Sequence, residues 1–263
     1  MSQAPRPPLQ VTLDVWHAMF MREALARTMA GRFAWFWMIA EPVAFVVIMI
    51  GVREVLGRVR FVIGADFVPW LIVGLLGFFL FREGLLRSIG AVDANKGLFA
   101  YRQVKPVDPV IARNVVEGIL KTVVFMVLIA GASLLGYEIL PADPLAAMFI
   151  WFSIWVLGLG AGLVASVVAP LVPEIGRVLR MLILPLFLLS GVIIPLHALP
   201  HSIQHYLLYN PVVHALEALR LSFFSGYKSL AGVDMLYLWW WALAMVALGL
   251  ALHLRFTMRV KAK

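Results

Sequence analysis

Long stretches free of Asp, Glu, Lys and Arg dominate the chain, and their lengths predict its elements. A hydrocarbon core of ~30 Å takes about 20 apolar residues as a helix. On that measure six membrane spans are expected, at about residues 33–52, 62–81, 109–136, 145–168, 178–195 and 235–254. The first tolerates Glu41 just before Pro42, and the fourth is the cleanest, with nothing charged between Asp143 and Glu174. The fifth lies in a run of 36 uncharged residues between Arg180 and Glu217, too long for one span and too short for two with a loop. Ser190-Gly191, Pro195, Pro200 and Asn210-Pro211 break that run. The reading is one span followed by a re-entrant hairpin of short helices at 196–226. Irregular backbone at membrane depth survives only beside protein or a water-filled cavity.

Three helix starts carry chemistry of their own. Asp108-Pro109, Asp143-Pro144 and Asn210-Pro211 each place a side-chain acceptor at the N-cap and a proline at N1. Before the first span, residues 11–31 read as an amphipathic helix lying in the interface, with Leu13, Trp16, Phe20 and Ala24 on one stripe and Arg22 opposite. Asp14, Arg22 and Glu23 interrupt any apolar run there, so no cleavable signal peptide is expected.

Composition agrees with an all-α integral membrane protein. Of 263 residues, 63% are apolar and 14% charged, against roughly 45–50% and 25% in soluble domains. The net charge of +8 sets topology rather than gripping nucleic acid: with both termini cytosolic, 17 of the 22 Lys and Arg fall inside, as the positive-inside rule requires. Arg53, Arg58 and Arg60 sit in a short external loop against that trend, where they contact headgroups or the acidic groups of a cargo. The absence of cysteine excludes disulfides, thiolate metal sites and thiol nucleophiles.

Enzymatic motifs are missing as well. There is no phosphate loop, no His-Glu-x-x-His and no Gly-x-Ser-x-Gly, so no catalytic residue is assigned. Gly158-Leu159-Gly160-Ala161-Gly162 lies inside the most apolar span and reads as a helix-packing face, not a dinucleotide loop. His197, His201 and His205 recur every four residues, but Pro200 breaks the helix that would align them; no metal site is assigned, and they read as hairpin lining or headgroup contacts.

The remaining candidates concern a path and its drive. Glu41 should face protein or water, either as a functional group or in a bond between helices. Trp35, Phe36 and Trp37 are interface anchors or stacking surfaces for a sugar chain. Glu217 and Arg220, three residues apart, form a structural ion pair or part of a gate. The cytosolic segment from Arg82 to about Glu117 and the turn Pro170 to Arg177 mix charge with apolar residues, which suits either solvated connectors or docking surfaces for a soluble partner.

Three segments together carry a resemblance: Trp35 to Glu41-Pro42 after an amphipathic start; Tyr101-Arg102-Gln103-Val104-Lys105-Pro106-Val107-Asp108-Pro109-Val110-Ile111-Ala112-Arg113; and Ser190-Gly191-Val192-Ile193-Ile194-Pro195 through Tyr209-Asn210-Pro211 to Glu217 and Arg220. In order and spacing the chain resembles the membrane subunits of type-2 ABC exporters, specifically KpsM-like capsular-polysaccharide export permeases. The resemblance implies a homodimer in the bacterial inner membrane with two separate ABC ATPase subunits, which hold ATP and Mg, leaving no cofactor on this chain. It implies coupling elements at Ile89, Gly90, Asp93, Asn95 and Lys96 and at Glu174 and Arg177. A translocation path or gate would involve Trp35, Phe36, Glu41, Pro195, His201, Asn210, Glu217 and Arg220, with spans one and five at the dimer interface. The implied cargo is a lipid-linked capsular polysaccharide, handed to a periplasmic copolymerase and an outer-membrane export protein. Another glycan, such as O-antigen or teichoic acid, stays open, as do a stand-alone secondary transporter and a membrane transferase.

Overall fold

Prolines at helix starts and glycines at helix crossings organise the chain. The computed structural model describes residues 7–29, 31, 33–56, 62–101 and 103–262. They form α1 (Pro8–Thr28), α2 (Ala34–Leu56), α3 (Phe67–Ser88), a 3₁₀ helix (Asp93–Ala100), α4 (Asp108–Leu134), α5 (Pro144–Leu171), α6 (Pro173–Leu189), a 3₁₀ turn (Leu196–Ala198), α7 (His201–Leu207), α8 (Pro211–Phe223) and α9 (Met235–Ala262). No strand occurs among the described residues. Among the described residues five helices, α2, α3, α4, α5 and α9, are long and apolar enough to cross a membrane.

Helix α5 is the axis of the bundle, packed along α9 on one side and α3 on the other. Its glycines permit this. A Cβ on Gly158 would lie 3.2 Å from the Phe81 carbonyl oxygen of α3, and one on Gly162 only 2.5 Å from that of Gly84. On the opposite face, a Cβ on Gly160 would come within 3.0 Å of the Ala242 carbonyl oxygen of α9. The run is thus a packing face on both sides of one helix, as its small residues suggested. Helix α3 is the most enclosed, with Trp70, Leu71, Val73, Leu75 and Phe78 fully buried, whereas α2 and α9 expose much of their surface.

Several boundaries move from their expected places. Helix α3 begins at Phe67, not 62, and runs to Ser88; the connector to α4 is therefore 89–107, and Arg82, Glu83, Arg87, Arg113 and Glu117 are helical. Charged residues ended the apolar runs without ending the helices, because a headgroup layer tolerates charge that helical backbone can carry. For the same reason α6 starts at Pro173, with Glu174 and Arg177 in its first turns, and ends at Leu189 instead of 195. Its 17 residues rise about 25 Å, less than a bilayer core.

Of the three expected caps, two form: Asp143 accepts from the Ala146 N–H at 3.0 Å and Asn210 from the Val212 N–H at 3.0 Å. Asp108 does not cap. It is already helical, behind Val107, and its carboxylate accepts from the Lys105 N–H (2.7 Å) and from Trp16 Nε1 (3.0 Å).

Helix α1 departs most from expectation. The face it turns to the bundle keeps part of the expected stripe: Phe20 and Ala24 pack against the core, Leu13 is 54% exposed, and Met19 and Val15 join the Ala91, Val92 and Phe99 cluster instead. Arg22, expected to point away, hydrogen-bonds the Asn95 side chain. Polar partners act together with this apolar packing in setting the rotation of α1.

At the other end of the bundle, Gly191 turns the chain after α6 with φ +70°, where a Cβ would also strike the Leu196 side chain. Helix α8 then packs beside α3, its Leu216 and Leu219 side chains resting on Gly77. Gly77 lies ten residues into α3, about 15 Å along it.

Candidate functional site

Among the described residues, charged side chains gather in a cluster at each end of the bundle. At the α1 end, three carboxylates from three helices are shared among arginines. Arg82 Nη2 lies 2.7 Å from Glu41 and 2.7 Å from Glu83, and Arg87 Nε 3.1 Å from Glu83. Arg27 Nε donates to Glu117 Oε1 at 2.8 Å, and Arg87 approaches the same oxygen at 3.4 Å. Arg113 pairs with Glu23 at 2.6 Å and gives its Nη1–H to the Arg87 carbonyl, one of the acceptors that the end of α3 leaves unbonded. Lys121, one turn after Glu117, is 3% exposed and lies 5.5 Å over the Phe79 ring. The network fastens α1 and α2 to the ends of α3 and α4.

The opposite cluster is uncharged overall. Arg220 and Glu217, both fully buried, pair at 3.1 Å on α8. Arg220 also donates to the carbonyls of Gly191 (2.8 Å) and Val192 (3.2 Å), just past α6, and its guanidinium sits 3.7 Å from the Trp70 ring centre. It lies against Gly74 of α3, where a side chain would collide with it. Glu217 accepts from the Tyr227 hydroxyl at 3.0 Å and the Leu230 N–H at 3.0 Å. One arginine therefore joins α8, α3 and the end of α6, with each charge matched and hydrogen-bonded as burial demands.

The expected coupling residues are gathered at the α1 end. Ile89 is buried, and a Cβ on Gly176 would lie 3.5 Å from its Cγ2, so the corner after α3 touches the first turns of α6. Gly90 is open on its Cβ side. Asp93 and Lys96 pair at 3.1 Å, and Glu174 and Arg177 at 3.3 Å; both pairs face outward. Asn95 differs from them. It is buried, donates to the Ala91 carbonyl at 2.7 Å and receives Arg22, so it holds α1 instead of presenting a surface.

The expected path residues are not gathered in one place. Trp35 and Phe36 are exposed on α2, whereas Glu217 and Arg220 are buried on α8. Glu41, 47% exposed at its side chain, is held by Arg82 in a pair between helices. Pro195 is buried before the 3₁₀ turn, and His201 opens α7 on the surface. His197 lies in the 3₁₀ turn facing Tyr227, apart from His201 and His205 on α7. Asn210 bridges α8 to Ser190 Oγ at 2.9 Å. Arg58 and Arg60 lie outside the described residues, and of Arg53 only the helical backbone is described.

Sequence reasoning missed Arg27, Arg82, Glu83, Arg87, Glu117 and Lys121 as a group. A signal was present in the i,i+4 pairs Glu83/Arg87 and Glu117/Lys121, each set in apolar helical sequence. Their convergence, joining residues 90 apart such as Arg27 and Glu117, was not legible.

Residues 15–224 match the protein family described as ABC-2 type transporter. The chain belongs to the ABC-2 type transporter family. The matched residues of this ABC-2 transporter chain run from α1 through α8 and so contain the charged network of the α1 end and the Glu217–Arg220 pair, with Tyr227 and Leu230 just beyond them. It is 37% identical over 238 residues to the polysialic acid transport protein KpsM of Escherichia coli, covering 90% of this chain and 91% of that protein. It is 28% identical over 244 residues (93% and 91%) to the capsule polysaccharide export inner-membrane protein CtrC of Neisseria meningitidis serogroup A. With the protein BexB of Haemophilus influenzae, described in the same words as CtrC, it shares 23% over 210 residues (80% and 79%). Membership makes this ABC-2 chain a multi-pass membrane transport subunit.

Proposed function

We propose that this chain is the permease subunit of an ATP-driven exporter that moves lipid-linked capsular polysaccharide across the bacterial inner membrane. The observation that carries the reading is likeness over nearly the whole length, within one transporter family, to proteins named for capsule polysaccharide export. The chain supplies the path, and two copies of a separate ABC ATPase supply the energy through a homodimer of permeases. Another glycan cargo would leave this assembly unchanged. A periplasmic copolymerase and an outer-membrane export protein take up the glycan beyond the membrane.

In this reading α6 is the fifth of six crossings, completed by the turn at Gly191, and the segment from Leu196 through α8 is a re-entrant hairpin on the external side. The depth of Leu216 and Leu219 against Gly77 supports it. Both termini lie in the cytosol, as the distribution of Lys and Arg favours. Outward-facing aromatic residues of α2, Trp35 and Phe36 among them, meet the cargo or the partner permease.

The drive enters at the α1 end. Closure of the ATPases presses on Gly90, Asp93 and Lys96 and on Glu174 and Arg177, and the Ile89–Gly176 contact makes the α3 corner and α6 respond together. Arg220 binds the far end of α6 to α3 and α8, so displacement of α6 is passed to the hairpin. Export then requires two conformations of different access whose balance ATP shifts. A gentle detergent pull-down of the tagged chain tests the reading. An ABC ATPase should return in equal amount and hydrolyse ATP; a chain that returns alone, with activity no ATPase restores, counts against it.

A further inference from the structure

Between the α1–α2 corner and the bundle lies a cavity of about 460 Å³, lined by Arg27, Phe33, Trp37, Glu41, Arg87 and Lys121 among others. Its charges do not balance. Among the described residues, four cations, Arg27, Arg82, Arg87 and Lys121, stand with three carboxylates, Glu41, Glu83 and Glu117. The arginines take all three. No ion pair joins Lys121 to a described carboxylate, although it is 3% exposed and its side chain lines the cavity. Glu83, Glu41 and Glu117 reach Lys121 only at longer range, so the buried ammonium has no direct pair, which is costly and marks the position as a functional candidate.

The cavity's depth and mouth indicate the kind of anion. Lys121 stands thirteen residues before the end of α4, about 20 Å along it, and Arg87 twenty residues past the start of α3, about 30 Å. The cations therefore span the last third of a bilayer core of ~30 Å at the α1 end, where headgroups begin. Trp37, 67% exposed, and Phe33 stand on the outward side of the cavity, so its mouth joins an apolar, bilayer-facing surface. Two guanidinium groups and an ammonium lining one cavity suit the tetrahedral oxygens of a phosphate.

We propose that this cavity receives the phosphate of a phosphate-bearing amphiphile drawn from the leaflet at the α1 end. This rests on the export reading for its occupant, the lipid-linked end of the cargo. Trp37 and Phe33 lie along its acyl or isoprenoid chain, while Lys121, Arg27 and Arg87 hold the phosphate. The unmatched charge gives the site a preference for the charged lipid-linked end over neutral lipid.

The test uses the purified full chain with its partner ATPase in neutral detergent. Binding of 1-palmitoyl lysophosphatidic acid is compared with 1-palmitoylglycerol and with inorganic phosphate, and then in competition with phosphatidylglycerol/phosphatidylethanolamine vesicles. The phosphate amphiphile should bind at least tenfold tighter than either comparator. Lys121→Met should abolish that preference while leaving thermal stability equal or higher, since it removes an unmatched buried charge; Lys121→Arg should restore it. Unchanged binding in Lys121→Met overturns the proposal, as does inorganic phosphate binding as tightly as the amphiphile. Full displacement by the phospholipid vesicles overturns the cargo assignment and leaves a structural lipid site. If Lys121→Met binds as wild type while ATP-driven export proceeds, this proposal fails and the export reading stands. If the preference holds but no ATPase co-purifies, the site stands and the export reading fails.

Discussion

Replacing Arg220 by methionine removes one charge of a pair that has no access to solvent. The change keeps most of the volume, so its cost is electrostatic. Glu217 would keep the Tyr227 hydroxyl and the Leu230 N–H, and the carbonyls of Gly191 and Val192 would lose their donor. Breaking a buried pair in this way costs about 3–5 kcal/mol, because the remaining charge is uncompensated. At roughly 2–4 °C per kcal/mol for a chain of this size, the unfolding midpoint in detergent should fall by roughly 6–20 °C, read by tryptophan fluorescence. The double variant Glu217→Gln/Arg220→Met should regain most of the loss, since neither charge remains and the glutamine oxygen still accepts from Tyr227 and Leu230. If Arg220→Met does not fold, Arg220→Lys, which keeps the charge but cannot span both carbonyls, should fall between. An Arg220→Met protein within about 1 kcal/mol of wild type, or a double variant no more stable than the single one, would refute the assignment of Arg220 as the joint of three helices.

Further outcomes follow from the same contacts. Gly162→Ala places a methyl against the α3 backbone and should cost about 1–3 kcal/mol of stability, whereas Gly131→Ala, open on its Cβ side, should change it by less than about 0.5 kcal/mol; both are read by thermal unfolding. Asn95→Ala should free α1 from the Asp93–Ala100 helix, seen as faster hydrogen exchange in α1 with the rest of the bundle unchanged, and protection equal to wild type would contradict its role. Glu174→Ala/Arg177→Ala removes an exposed pair worth less than about 1 kcal/mol, so assembly should persist while ATP turnover is uncoupled from export; retained export would remove these residues from the drive.

How much of this was legible in the sequence depends on whether the deciding contact was local. Asp143-Pro144 and Asn210-Pro211 announced their helices because cap and proline act within one turn. Gly158 to Gly162 announced a close crossing because only small residues allow one. The break after α6 was visible at Ser190-Gly191, where the backbone takes a positive φ. Charge was a poor guide to helix ends, however: α3 continues through Arg82, Glu83 and Arg87, and α6 begins before Glu174. Helical hydrogen bonds persist across the headgroup layer whichever side chains they carry. The rotation of α1 depends on Asp108, Asn95 and Glu117, all more than 70 residues away, and no local periodicity contains that information. The same holds for the charged network: pairs on one helix showed in the spacing, and their meeting across α1, α2, α3 and α4 did not.

The central claim is ATP-driven passage of a lipid-linked glycan through this chain. Inverted inner-membrane vesicles containing the chain and its co-purifying ATPase, loaded with radiolabelled lipid-linked glycan on their outer leaflet, measure it directly. The account predicts that ATP moves label to a position protected from added glycosidase, and that protection vanishes without the chain or when the ATPase cannot hydrolyse ATP. Protection that develops equally without ATP, or that persists in vesicles lacking the chain, would contradict it.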